Sequence, residues 1–586
     1  MSATVLFRLP PSIPVAKNPV CAKIFYDIAG ILELQGVEWK PVAYRKAART
    51  IESLSEDVED IYKRGGLDAL MELPGVGEAL AKKIEEIVKT GRLRKHEELK
   101  RSLPEGLVAL TSVPGLGPKK AKRLYDELGV KSLEGLKKAA EDGKIHPLEG
   151  FGYKSEQDVL RGLAFLEKGR GRALLGYILP EVREIVALLK KSRFVERAEP
   201  AGSVRRMKES VGDVDMLVTS SQPGKVMDYF VSLPMVGEVV AKGPTKTAVR
   251  LKSGLGCDIR VVEGQSFGAA LQYFTGSKDH NIALRRIAIS KGWKLSEYGV
   301  FKGAQRIAGK SEEEVYSKLG LAWVPPELRE NMGEVEAAQK GKLPHLVEQK
   351  DIRGDFHCHT KWSDGSGTVL EMATAAAALG YEYLFITDHA SAIPVAHGLD
   401  RKRFAEQAKE MDAAREKLGS KIELMQGTEC DINRDGSLWL DKATLRELDL
   451  VIASVHTSFT LPRDEMTKRV VTAIEGGQAN IIGHPSGRLI GEREAYQLDY
   501  DKVFEAAARS GVFIEINALP ERLDLRETEI KRAKEYGVKF TIGTDSHAAD
   551  NLHFMELGVA MARRGWCEKA DILNAQGIKA LKKLLR

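Results

Sequence analysis

Cysteine is scarce in this chain of 586 residues. The five present, Cys21, Cys257, Cys358, Cys430 and Cys567, show no paired spacing. That pattern excludes a disulfide framework and a cysteine-based zinc knuckle, and it suits a reducing compartment. No apolar run approaches the ~18 residues that a membrane-spanning helix needs, so no transmembrane segment is expected. Residues Met1 to Pro11 lack a basic start followed by a long apolar core, so no secretion signal is expected either. Neither sign of charge dominates. A net charge of +6 permits nucleic-acid binding without requiring it. What remains is ordinary soluble globular composition, with 43% hydrophobic and 29% charged residues, in a chain long enough for about four domains.

The stretch Ala201 to Val218 organises the reading. A Gly202-Ser203 turn precedes Arg205 and Arg206, and Gly212-Asp213-Val214-Asp215 runs into the apolar Met216-Leu217-Val218. The tail reads as a strand, which puts Asp213 and Asp215 on one face. Carboxylates that close repel unless a cation lies between them, and Mg²⁺ or Mn²⁺ takes carboxylate and phosphate oxygens. The turn offers a hydroxyl and backbone N–H groups, and Arg206 offers a phosphate fork. A lone Asp-x-Asp is usually an exposed pair; the combined pattern is far more specific. Gly256 to Val262 supplies a third strand-borne carboxylate, Asp258. Tyr273, Phe274, Gly276, Asn281 and Arg285 follow.

Upstream, Ala22 to Glu33 has apolar residues at helical spacing, and Tyr44 to Ile51 reads as a basic helix. Two Pro-Gly-apolar-Gly segments then recur, each leading into a helix. The first carries Gly75, Val76 and Gly77; the second carries Gly115, Leu116, Gly117, Lys119 and Lys120. Glycines permit close backbone approach, and a helix N-terminus presents free N–H groups to a phosphate. A plain glycine turn between helices is the simpler reading of one copy; two in tandem make that reading less apt and resemble the helix-hairpin-helix motif, which implies a grip on DNA phosphates. A weaker third copy spans Leu148 to Lys154. Pro325-Pro326 and the polar stretch to Arg353 mark a domain boundary.

Eight of the 12 histidines lie after residue 350. Short apolar strands alternate there with helices, which argues for an α/β barrel or a doubly wound sheet. His357, His359, Asp364, His389, Glu429, His456, His484, Asp545 and His547 sit at or just beyond expected strand ends. Parallel strands converge their C-terminal ends on one rim. One strand-end histidine is commonly structural; six argue for metals. The mixed imidazole and carboxylate set suits Mn²⁺, Zn²⁺ or Fe²⁺, and nine ligands are enough for two or three ions. His397 and His553 fall outside the series. Arg488 reads as a phosphate contact or a solvated side chain.

These motifs resemble, over nearly the whole chain, a family X DNA polymerase with a fused PHP (polymerase and histidinol phosphatase) domain. The resemblance implies an α-helical helix-hairpin-helix N-terminal region, an α+β nucleotidyltransferase palm and thumb, and a C-terminal α/β distorted TIM-like (β/α)7 barrel. It divides the chain at 1–95, 96–170, 171–262, 263–325, 326–352 and 353–586. It implies that Asp213, Asp215 and Asp258 are catalytic metal ligands and that Gly202, Ser203, Arg206 and Gly212 take the phosphates of a dNTP. Tyr273 and Phe274 would sense the sugar, Asn281 the incoming base and Arg285 the template. Lys83 falls where some members form a Schiff base in lyase chemistry; a surface lysine or a phosphate contact is the preferred reading. The implied function is short-gap filling in base excision repair, with a Mn²⁺-dependent 3′–5′ exonuclease that in some members also acts as a 3′-phosphatase or abasic-site endonuclease. Gapped DNA and dNTPs would be the partners of a monomer in the cytoplasm, at the nucleoid. Two alternatives remain, a DNA 3′-end phosphoesterase with a weak polymerase half and a gapped-DNA scaffold.

Overall fold

The computed structural model describes residues 17–585 apart from 35–36, 38–39, 53–57, 74, 103–106, 108–109, 111–112, 114–115, 117, 149–150, 153–154, 157–158, 161–162, 164–171 and 392–395. The chain forms two compact units, Met1–Gly169 and Arg170–Arg586. In the first, helices Lys17–Leu34 and Lys40–Glu52 cover the expected helical stretches. They share a core with helix Glu78–Thr90 through Phe25, Ile28, Ala47, Ala81 and Ile84. A second core, around Leu116, Leu124 and Leu136, gathers helices Pro118–Leu128 and Leu133–Glu141.

The second unit opens with helix Leu175–Lys191 packed against a five-stranded sheet. In that sheet, strand Asp213–Thr219 runs parallel to Gly256–Val262 and antiparallel to Arg197–Pro200. Val214, Met216 and Val218 point into the core, so the alternating face carries Asp213 and Asp215 outward. Helices Phe267–Thr275 and Lys278–Ser290, with a three-stranded antiparallel sheet, follow as the thumb-like region.

The segment expected as a linker is folded onto that region. Arg329, fully buried, donates to Glu312 (2.6 and 3.0 Å), and Glu334 accepts from His280 Nδ1 (2.6 Å). Helix Glu312–Leu319 ends at Gly320, and Pro325-Pro326 leads into a single 3-10 turn, Pro326–Leu328; buried charge pairs hold the stretch down.

The C-terminal region resolves the choice between barrel and open sheet. Strands Gly354–Asp355, Tyr383–Ile386, Glu423–Asp431, Leu450–Ser454, Ile481–Ile482, Phe513–Asn517 and Phe540–Gly543 pair in that order, all parallel. The last returns to the first: Asp545 N donates to His357 O (2.9 Å) and His359 N to Ser546 O (2.8 Å). Seven strands therefore close on themselves. Strand Phe513–Asn517 was not among those marked by a ligand in the sequence. Among the described residues no helix is long and apolar enough to cross a membrane.

Candidate active sites

The sheet register places Asp215 directly opposite Asp258 and Asp213 opposite Gly256. Three carboxylates thus gather at one end of two adjacent strands. Burial pushes the Asp215 carboxyl up, and the charges of Asp213 and Asp258 push it further, to about 6. Three carboxylates crowded in this way are a fitting donor set for hard divalent ions, whose charge relieves the repulsion. Lys246 Nζ lies 2.8 Å from Asp258 Oδ2, a partner that the sequence did not disclose because it comes from the neighbouring antiparallel strand.

Beside the carboxylates, Gly202 has φ +61°, and a Cβ there would meet Asp215 Oδ2 at 2.9 Å. Glycine is required on both counts. It starts the short helical turn Gly202–Arg205, in which Ser203 is half-buried. Gly212 lies between the strands Ser210–Val211 and Asp213–Thr219. Arg206 points to the thumb-like side: its Nε donates to Glu330 Oε1 (3.0 Å), and its Nη1 donates to the Thr275 carbonyl. Any phosphate must share or displace that carboxylate.

Tyr273 and Phe274 meet edge to face, with centroids 5.2 Å apart, and Gly276 follows in the left-handed region at φ +71°. Asn281 is buried more deeply than expected for a base contact. Its Nδ2 donates to Tyr273 O (2.7 Å), and its Oδ1 accepts from Gln272 Nε2 (2.6 Å). One donor and one acceptor position remain on that amide. Arg285 Nε donates to Asn281 O (3.3 Å).

The barrel brings all nine expected ligands into one cluster. Three overlapping sets converge: His359, Asp364, His389 and His547; His357, His359 and Glu429; and His389, Glu429 and His456. His484 joins through Nε2, 2.7 Å from Glu429 Oε1, and Asp545 Oδ1 lies 3.3 Å from His359 Nε2. The backbone is strained where two of them project, with φ +25° at His484 and +53° at Asp545.

Ring nitrogens of His357 and His359 lie 3.1 Å apart, and those of His456 and His484 3.3 Å. Imidazole lone pairs aimed at common points fit metal ions better than they fit hydrogen bonds. The outer nitrogens are held by other groups: His357 Nδ1 by Glu515 (2.6 Å), His456 Nδ1 by Asp431 (2.7 Å) and His547 Nδ1 by the Asp545 carbonyl (2.8 Å). Such outer partners fix the tautomer and aim the ligating nitrogen. Burial opposes ionisation of Glu429, yet the surrounding His456, His357, His389 and His484 hold its carboxyl well below the ordinary range.

Glu515 and Asp431 were missed in the sequence. Glu515 also accepts from the His484 backbone N–H (2.6 Å), so it braces two ligands at once. The available signal was an acid inside the apolar run Val512-Phe513-Ile514-Glu515-Ile516. Arg522 is a further addition. Its Nε lies 3.4 Å from Asp545 Oδ2, and its buried Nε and Nη1 have no hydrogen-bond acceptor among the described residues. Arg488 is neither solvated nor in a position to serve as a free phosphate contact. It is 2% exposed and pairs at 2.7 Å with Glu209, which immediately precedes strand Ser210–Val211.

In the N-terminal unit, Gly75 is left-handed at φ +80°, and Gly77 caps helix Glu78–Thr90. Val76 and Leu116 are buried in their cores, so only their backbone can reach a ligand. Lys120 lies over the Phe151 ring, 5.4 Å from its centroid. Gly115 and Gly117, and the side chain of Lys119, lie outside the described residues, as does part of the third copy. Lys83 Nζ donates to Ala79 O (2.8 Å), and partial burial lowers its ammonium pKa.

Comparison with known proteins places this geometry. The chain is 39% identical over 569 residues to the DNA polymerase/3′-5′ exonuclease PolX of Bacillus subtilis (strain 168), covering 96% of this chain and 98% of that protein. The chain belongs to the family X DNA polymerases with a C-terminal PHP domain. Family models match at residues 16–93 (helix-hairpin-helix domain), 107–164 (SAM-like helix-hairpin-helix tandem), 270–330 (DNA polymerase beta thumb) and 355–519 (PHP domain).

This family X chain is also similar, over part of its length, to other proteins. DNA polymerase lambda of Rattus norvegicus is 28% identical over 341 residues, 52% of this chain and 54% of that protein. A protein of Thermoanaerobacter sp. (strain X514) named as a probable phosphatase is 30% identical over 231 residues, 38% of this chain and 89% of that protein.

Proposed function

We propose that the chain is a DNA-directed DNA polymerase filling short gaps during DNA repair, and that its barrel is a 3′–5′ exonuclease on the same DNA ends. The observation that carries the first half is the register of Asp215 against Asp258, with Asp213 on the same face and the Gly202 turn alongside. Asp213, Asp215 and Asp258 would hold Mg²⁺ or Mn²⁺, which supplies charge neutralisation at the reacting phosphate and a lowered pKa for the primer 3′-OH. Ser203, Gly212 and the backbone of the Gly202 turn bind the dNTP phosphates, and Arg206 contributes its guanidinium. Tyr273 and Phe274 crowd the sugar edge, where an added hydroxyl is penalised sterically. Asn281 contacts the base through its remaining donor and acceptor, and Arg285 the template.

In the barrel, His357, His359, Asp364, His389, Glu429, His456, His484, Asp545 and His547 would hold two or three Mn²⁺, Zn²⁺ or Fe²⁺ ions, which supply an activated water and a clamp on the phosphodiester oxygens. Arg522 presents its unpaired N–H groups to the anion. The two helix-hairpin-helix segments grip phosphates through backbone N–H groups, without reading bases. Lys83 is read as a phosphate contact. Proposed, too, are the divisions of the chain given above, a monomeric state and a place at the nucleoid; 3′-phosphatase and abasic-site cleavage are further activities to assay.

A second reading, a DNA 3′-end phosphoesterase with a weak polymerase half, is favoured by Lys246 on Asp258 and Glu330 on Arg206. One experiment separates the two. A labelled primer on a one-nucleotide gap is incubated with Mn²⁺ and dNTPs. Asp213→Ala with Asp215→Ala is expected to abolish extension and spare degradation; His357→Ala with His359→Ala is expected to do the reverse. Degradation without extension by the unaltered chain would sink the polymerase reading.

A further inference from the structure

Arg564 ends the barrel helix Met555–Arg564 and is 1% exposed, although no barrel ligand touches it. Its guanidinium reaches out of the barrel. Nη1 donates to the backbone carbonyl of Arg206 (2.6 Å), and Nη2 donates to Glu330 Oε1 (3.1 Å) and to Glu527. The same Glu330 oxygen accepts from Arg206 Nε (3.0 Å). Lys208 Nζ completes the group, 3.2 Å from Glu527 and 3.8 Å from Glu330. Two guanidiniums, one from the palm and one from the barrel, therefore share a single carboxylate oxygen. The backbone they flank is strained, with Met207 at φ +52°.

A carboxylate this enclosed is costly to leave without a counter-charge. If Arg206 turns toward a triphosphate, Glu330 must keep another cation. Arg564 is the close one; Lys208 is farther away. Without Arg564, Glu330 would hold Arg206 back, and the Arg206 carbonyl would lose the donor that fixes it.

We propose that Arg564 is a positioning residue for nucleotidyl transfer, neutralising Glu330 so that Arg206 is released to the dNTP triphosphate. The barrel then tunes the polymerase site through one side chain, independently of its own chemistry. The inference rests on the reading of Arg206 as a triphosphate ligand, and the test separates the two.

Steady-state single-nucleotide gap filling is measured with the full chain, and 3′–5′ degradation is followed in parallel. Arg206→Ala tests the underlying reading and is expected to raise the KM for dNTP; an unchanged KM there overturns that reading. Arg564→Met is expected to raise the same KM by about tenfold with kcat within about twofold, the signature of lost nucleotide binding rather than lost chemistry. Degradation is expected to be unchanged. Adding Glu330→Gln removes the charge that needs neutralising and is expected to bring the KM back to within about threefold of the original, a non-additivity that marks direct coupling. The proposal is overturned if Arg206→Ala raises the KM and Arg564→Met does not. It is equally overturned if Arg564→Met depresses both activities together and Glu330→Gln restores neither, since Arg564 would then be only a structural element.

Discussion

Single residues here are placed by charge pairs that sequence spacing does not disclose. Glu312 is the sharpest case for stability. It is 5% exposed and accepts from Arg205 (2.8 Å at each oxygen), from Arg329 (2.6 and 3.0 Å) and from Trp323 Nε1 (3.0 Å). Burial alone would raise its pKa, but the two arginines lower it from 4.5 to about 2. The folded-state value lies below the unfolded one. The carboxylate therefore contributes stability in full above the unfolded value of 4.5, and that contribution is lost as pH falls toward about 2. The contribution at neutral pH is roughly 3 kcal/mol. Denaturant midpoints of the original chain and Glu312→Gln, taken across that window, are expected to differ most at neutral pH and to converge at its acid end. A gap that does not change with pH would refute the assignment.

At the scale of elements, periodicity was a reliable guide, while contacts between elements were not. The apolar run Met216-Leu217-Val218 identified the strand that carries Asp213 and Asp215, and helical spacing over Ala22 to Glu33 identified helix Lys17–Leu34. Helix Leu175–Lys191 shows what periodicity omits. Gly176 is tolerated near its start because a Cβ there would lie 2.6 Å from Pro520 Cγ and 2.7 Å from Leu557 Cδ1, both in the barrel region. The helix docks by its smallest side chain. Gly176→Val is expected to destabilise the Arg170–Arg586 unit by about 1–3 kcal/mol through overpacking, seen as a lower thermal midpoint. Extension and degradation are expected to fail at the same temperature, because the wedge sits between the two halves. An unaltered midpoint would mean that the contact yields freely.

At the scale of the molecule, the palm, thumb and barrel form a single compact unit rather than beads on a linker. One hydrophobic core runs through Leu175, Val182, Met216, Met372, Leu557 and Met561. Ion pairs reinforce it: Arg183 with Glu556, Arg488 with Glu209, and Arg564 with Glu330 and Glu527. A chain ending at residue 352 would leave Glu209 and Glu330 without those partners and open part of that core to water. Its thermal midpoint is expected to fall well below that of the full chain, by roughly 2–4 °C for each kcal/mol lost. Calorimetry of the two chains checks this, and equal midpoints would show that the halves stabilise each other little.

The candidate site residues were legible in the sequence because local spacing is enough to group them. Asp213 and Asp215 are two apart on a strand, the Gly202 turn precedes them, and each expected barrel ligand lies within, beside or a short loop beyond a strand. Short-range spacing is enough to put such groups on one face or one rim. The positions that needed the tertiary structure draw on long-range partners: Lys246 on Asp258, Glu515 behind His357, Glu330 on Arg206, and Arg564 reaching Arg206 across 358 residues of chain. Closure of the barrel, rather than an open sheet, was decided in the same way, by hydrogen bonds between the segments that directly follow its first and last strands. Local pattern carries no information about which distant charge neutralises a buried one; only the packed fold brings the two together.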